Sequence, residues 1–240
     1  MTSIVTVRVW DRVTRLFHWT LFALVGLCWL TAEWEGALSS VHRYAGEAIA
    51  GLIVFRVIWG FVGGEHARFT SFFEPGEKMG DHVAGLFTRK ARPTLGHNPL
   101  GSLAVIALLL AVSAVVLTGL MSQGEREGGP LALVFGVDLS ELHELSFRVL
   151  QGLVALHLIG VAVTSWASRD NLTGAMVTGR KARPAGTAQD ARSAKPAALI
   201  AAAALAAATA LGLMAMPHPV GEDSGAAAGE LDHGDDDADD

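Results

Sequence analysis

The chain has 240 residues, of which 51% are apolar, and a mean hydropathy of +0.39. That balance is too apolar for an ordinary water-soluble domain and points to a membrane protein. A single cysteine, Cys28, excludes an internal disulfide. The formal net charge of −6 hides a segregation: residues 217–240 hold nine Asp/Glu and no Lys or Arg, and the remainder carries 18 bases against 15 acids. Nothing in this balance suggests a nucleic-acid partner.

The first apolar run begins only after "RVWDRVTRLFHW" and continues too long for the h-region of a cleavable signal peptide, so none is expected. Stretches of about 20 apolar residues mark membrane helices. Five are predicted, at 14–33, 42–63, 99–121, 143–166 and 196–216. The third opens on Pro99, a residue suited to a first helical turn. The fifth is rich in alanine and free of charge.

Lys and Arg distribute unevenly between the two sides. The N-terminus (Arg8, Arg12, Arg15), the second-to-third connection (Arg68, Lys78, Arg89, Lys90, Arg92) and the fourth-to-fifth connection (Arg169, Arg180, Lys181, Arg183, Arg192, Lys195) hold 14 of the 18 bases. The opposite connections hold Arg126, with Arg43 and Arg148 at helix ends, and Arg56 lies inside the second span. The positive-inside rule then places the N-terminus in the cytoplasm. Five crossings then bring the acidic C-terminus to the outside.

No internal repeat, G-x-G-x-x-G, P-loop or H-E-x-x-H motif is present. The informative residues are histidines. His143 and His157, in "SELHELSFRVLQGLVALHLIG", are 14 residues apart, so they share a helix face about 21 Å apart along the axis. The fourth span enters from outside, which puts His143 near the outer surface and His157 toward the inner one. His42 opens the second span and matches the depth of His143. His18, about one turn into the first span, matches His157.

Paired imidazoles in lipid are costly unless they are bonded. An iron porphyrin clamped between two rings satisfies them and suits the core of a helix bundle. Two ring nitrogens fill both axial positions, so such a centre transfers electrons. No C-x-x-C-H motif exists for covalent attachment, so the haem expected is haem b. Gly26, Gly46, Gly152 and Gly160 lie near these histidines and offer flat helix surface to a porphyrin. Arg43 and Arg148 beside the outer pair, and Arg15 and Arg56 near the inner pair, are candidate propionate partners.

Blander readings exist for each residue. A lone histidine in an apolar helix is most often a hydrogen-bonded core residue, glycine serves close helix packing, and arginines at helix ends anchor at the interface. His97, at the mouth of the third span, could replace His18 on the inner haem, line a quinone pocket or simply shape a turn. His66 and His82 read as solvated loop residues. Cys28 reads as a small buried apolar side chain.

The motifs "VRVWDRVTRLFHW" (7–19), "HRYAGEAIAGLIVFRVIWGFVG" (42–63), "GHNPLG" (96–101) and the His143/His157 pair resemble the bacterial cytochrome b561 family, which includes the b-type subunits of nickel–iron hydrogenases. The resemblance covers about 1–170. It implies an all-α fold: an integral membrane four-helix bundle holding two b haems on His18, His42, His143 and His157. It implies electron transfer between membrane quinone and a redox partner, by an electron carrier or oxidoreductase subunit rather than a stand-alone enzyme.

The remainder departs from that pattern. Residues 171–195 form a basic cytoplasmic linker expected to be flexible, 196–216 an additional transmembrane helix, and 217–240 an acidic periplasmic tail too apolar-poor to fold alone. The tail suits docking of a basic periplasmic partner such as a c-type cytochrome. His218 and His233, with nearby carboxylates, offer at most a weak metal site. A homodimer or a larger oxidoreductase complex is open. The rival readings are the membrane anchor and quinone-reducing subunit of a hydrogenase or other dehydrogenase, a superoxide or ferric reductase, and, from another class, a haem-free histidine-lined transporter or metal-handling protein.

Overall fold

The computed structural model describes residues 3–32, 37–73, 79–91, 93–123 and 128–219. The acidic tail from residue 220 onward, with His233, and the bases Lys78, Arg92 and Arg126 lie outside the described residues.

Five long apolar helices dominate: α1 (Arg12–Thr31), α2 (Ala37–Val62), α4 (Pro99–Leu120), α6 (Ser140–Ser168) and α8 (Pro196–Met214). Each is long and apolar enough to cross a membrane, and each coincides with one predicted span to within a few residues at its ends. Three short helices, α3 (Met79–Thr88), α5 (Pro130–Phe135) and α7 (Leu172–Thr178), lie in the connections, with 3-10 turns at Glu65–Ala67 and Phe69–Phe73.

Local chemistry sets the helix starts. Asp11 caps α1, its Oδ1 accepting from Thr14 N at 2.7 Å. Asn98 caps α4 by accepting from Gly101 N at 2.7 Å, just ahead of Pro99 at the first helical position. Helices α1, α2, α4 and α6 form the bundle: α1 packs on α2, α2 on α4 and α4 on α6. Trp29 meets Phe147 edge-on at 6.1 Å and closes α1 against α6.

Two apolar clusters fill the bundle. Ile49, Ala111, Val112 and Leu150 pack toward the end that holds His42 and His143. Phe17, Phe55, Trp59, Ala67 and Ala202 pack toward the other. There the Phe17–Phe55 and Phe55–Trp59 rings stack at 6.3 and 5.6 Å. Trp59 Nε1 donates to Thr14 Oγ1, which donates to Asp11 Oδ2, so the cap of α1 is tied to α2.

The fifth span is not peripheral. Helix α8 lies along α2, and its alanine face allows backbone approach: a Cβ on Gly51 would sit 2.7 Å from Ala206 O and 3.0 Å from Ala210 Cβ. Lipid tails are as apolar as leucine, so helices associate in membranes through such close small-residue contact.

The stretch 171–195 has more order than its composition suggests. It contains α7 and a strand, β2 (Arg180–Pro184), which pairs antiparallel with β1 (Ile4–Arg8) in register Ile4↔Pro184 to Arg8↔Arg180. Asp170 explains much of this. Arg183 Nη2 and Lys181 Nζ reach its Oδ2 at 2.7 and 3.2 Å, and both bases donate to Thr94 O. The ribbon gathers the N-terminus, the α4 entry and the α6–α8 connection at one basic end of the bundle.

Candidate functional site

His42 on α2 and His143 on α6 face each other across the bundle, with ring centroids 6.3 Å apart and planes at 85°. His42 Nδ1 lies 2.9 Å from Cys28 O on α1, and His143 Nδ1 lies 2.9 Å from Val115 O on α4. A carbonyl only accepts, so each Nδ1 carries the proton and each Nε2 keeps its lone pair. This is the arrangement that prepares imidazole as a metal ligand.

The two supports match each other. Three residues after each carbonyl stands a threonine, Thr31 and Thr118. Their hydroxyls donate back to Leu27 O and Ala114 O at 2.7 Å and lie 3.5 and 3.4 Å from the histidine Nδ1 atoms. Gly119 completes the outer site: a Cβ there would stand 2.8 Å from His143 Cε1. Cys28, Thr31, Val115, Thr118 and Gly119 escape a reading of side-chain types, because two act through backbone carbonyls. The only available signal is the pair of threonines on the facing helices.

The outer pair fits an interposed iron. Two metal–nitrogen bonds of about 2 Å plus two ring radii of about 1 Å span roughly 6 Å, against the 6.3 Å found. A Cβ added at Gly26, Gly46, Gly152 or Gly160 meets nothing within 4 Å, Gly152 and Gly160 lying on exposed helix surface, whereas one at Gly60 would collide with the Phe69 ring.

At the other level His157 lies within electrostatic reach of both His18 and His97. His18 Nδ1 is buried and without a partner among the described residues. His97 stands between Trp10 and Phe72, with ring centroids at 4.7 and 4.9 Å, and its Nδ1 is also buried and unpartnered there. Burial first, and then the charges of Arg56, His66, Lys181 and His157, push the His97 imidazole down to about 3, so the ring is neutral. Three imidazoles thus share this level, and His97 stays beside His18 as a candidate.

The arginines separate by task. Arg56 is buried, lies over the Phe69 ring at 4.9 Å, and keeps an unpartnered Nη1 among the described residues. A buried guanidinium with an unpartnered Nη1 among the described residues suits a carboxylate such as a propionate. Arg15 instead donates to the carbonyls of Met176 and Val177, fastening α7. Arg148 pairs with Glu144 on the exposed face of α6. Arg43 bonds Glu47 and His218 and covers the Tyr44 ring at 4.1 Å.

Two other histidines differ from the solvated reading. His82 is fully buried, because the apolar face of α3 turns it inward against the bundle. His66 is half-buried, packed edge-on to Trp10 at 6.2 Å and against Gly96.

The model of the prokaryotic cytochrome b561 family matches residues 9–179, from the start of α1 through α7. The chain belongs to the prokaryotic cytochrome b561 family. This cytochrome b561 is similar to a probable Ni/Fe-hydrogenase B-type cytochrome subunit of Rhizobium leguminosarum bv. viciae, 26% identical over 73% of the chain and 89% of the relative. Proteins of the same description from Bradyrhizobium diazoefficiens and Azotobacter chroococcum are 23% and 28% identical, over 73% and 72% of the chain and 86% and 87% of the relatives. No solved structure matches the chain. The cytochrome b561 is therefore a multi-pass membrane protein of haem b electron transfer.

Proposed function

We propose that this cytochrome b561 holds two haem b groups and relays electrons between the membrane quinone pool and a redox partner outside the inner membrane. The outer haem is held by His42 and His143, the inner one by His18 and His157. The observation that carries the reading is the outer pair: two opposed rings at iron-spanning distance, each fixed in the ligating tautomer by a carbonyl. A haem held by these histidines would supply one-electron transfer chemistry.

The chain's own residues orient and insulate. Cys28 O and Val115 O aim the outer rings, Gly26, Gly46, Gly152 and Gly160 leave flat surface, and Arg56 offers its Nη1, unpartnered among the described residues, to an inner propionate. His97, neutral and held between Trp10 and Phe72, is the residue we assign to a quinone pocket. The basic end formed by β1, β2 and the connections is cytoplasmic under the positive-inside rule. The acidic sequence beyond residue 219 is then periplasmic and suited to a basic partner such as a c-type cytochrome.

The relatives' description favours a second reading of the same chemistry, in which the chain is the b-type subunit of a hydrogenase-like oxidoreductase complex. One preparation addresses both. Purified chain should show the reduced bands of six-coordinate haem b and two haem equivalents, and His157→Ala should retain one. A colourless chain, or two equivalents in His157→Ala, would overturn the pairing. Co-purification with a hydrogenase large subunit would select the second reading.

A further inference from the structure

The last described residues return to the bundle. Beyond α8, His218 Nε2 lies 2.7 Å from Arg43 Nη1 at the outer end of α2, and Pro219 O accepts from Gly128 N at 3.1 Å. Arg43 Nη1 also donates to Glu47 Oε1 at 3.2 Å. The Glu47 side chain is 1% exposed. Its Oε2 and the Nδ1 of His218 are buried without a partner among the described residues. Here a carboxylate deep in an apolar bundle meets an imidazole delivered by the fifth helix.

The donor inventory fixes the protonation of this contact. A guanidinium has only N–H groups, so Arg43 donates and His218 Nε2 accepts. His218 is therefore neutral in this arrangement, with its proton on Nδ1. A second proton would set two donors face to face at 2.7 Å. The acceptor then available to Nε2 is Glu47 Oε1, 3.8 Å away. One proton thus converts one set of contacts into another. Arg43 directly follows the ligand His42, and Glu47 lies little more than one turn further along α2. Charges this near, away from bulk water, influence one another strongly.

We infer that His218, Arg43 and Glu47 form a proton-binding site at the outer end of α2, in which His218 takes up a proton as the outer haem is reduced. The inference rests on the assignment of that haem to His42 and His143. Reduction of a haem held by His42 and His143 would remove one positive charge there. A proton moving from the outer aqueous phase to His218 Nε2 restores it. The electron comes from the quinol of the proposed circuit or, in the test, from dithionite. By linkage, uptake on reduction makes the outer-haem potential fall as pH rises. Arg43 and Glu47 face His218 from α2, with Tyr44 beside Arg43. The charged residues Glu125, Arg126 and Glu127 before Gly128, and the acids beyond residue 219, lie outside the described residues, so the test must isolate His218 itself.

Optical redox titration of the purified full chain at several pH values, with haem content measured on each sample, provides it. In the wild type the outer-haem potential should fall with rising pH. His218→Gln keeps an acceptor for Arg43 but cannot take the proton, and should carry two haems at a potential nearly independent of pH. His218→Ala should lose the dependence too. A pH-independent wild-type potential, or an undiminished slope in His218→Gln with both haems present, would sink the coupling alone. A wild type without the outer haem would sink the haem assignment with it, and haem content tells the two failures apart.

Discussion

His42 and His143 stand 6.3 Å apart, ring centre to ring centre, on helices that are not neighbours in the bundle. Each ring is held from behind by the carbonyl of a third or fourth helix, Cys28 O on α1 and Val115 O on α4. All four bundle helices therefore contribute to one site, two through imidazoles and two through backbone. A side-chain substitution cannot delete either carbonyl support. It can only displace it.

Gly119 offers the sharpest test of that geometry. Its absent Cβ leaves space that the His143 ring occupies, with closest approaches of 2.8 Å to Cε1 and 3.0 Å to Nδ1. Gly119→Ala should push the ring off the Val115 carbonyl at a cost of about 1–3 kcal/mol, typical of overpacking. Outer-haem occupancy, read as haem per chain, should fall while the inner haem stays. Full occupancy with unshifted bands would show that the ring moves freely there.

Asp170 anchors the basic end. Burial works against its charge, but Arg183 and Lys181 outweigh that and hold the carboxyl below the usual carboxylate range. Its folded-state value is depressed, so its stabilisation is present at neutral pH and is lost as pH falls through that depressed value. Asp170→Asn leaves Lys181 buried and without its charge partner, which should cost about 3–5 kcal/mol locally. Faster amide exchange across β1 and β2, with haem content unchanged, is the expected readout.

His97 has the opposite titration. Its imidazole falls from the ordinary 6.5 to about 3, so the unfolded chain binds a proton that the folded chain refuses between those values. Stability should therefore drop as pH is lowered from 6.5. By pH 5 the loss is about 2 kcal/mol from this residue. His97→Gln should flatten that part of the pH profile in a detergent thermal-melt series. An unchanged profile would mean that His97 charges without strain.

Much of the architecture is legible in one dimension. Twenty-residue apolar runs, the arginine and lysine asymmetry, and four histidines at two depths follow from hydropathy and helix rise alone. They placed all five long helices and named the residues that meet at the outer site. These signals survive because lipid leaves a backbone few choices: a span this apolar must close its hydrogen bonds as a helix.

The rest depended on contacts between segments far apart in the chain. Composition reads 171–195 as solvated linker, yet β1 and Asp170 give its strand a partner, and strand pairing is a property of two segments. His82 reads as loop and is buried, because the inward face of a short helix depends on what it packs against. The carbonyls behind His42 and His143 carry no side-chain signature at all. The return of His218 to Arg43 and Glu47 required α8 to lie along α2, which the near-contact at Gly51 permits. Hydropathy determines which segments are long and apolar enough to cross, since each segment meets lipid individually. Which side chain meets which carbonyl is settled only when the helices pack, because that energy belongs to pairs of surfaces.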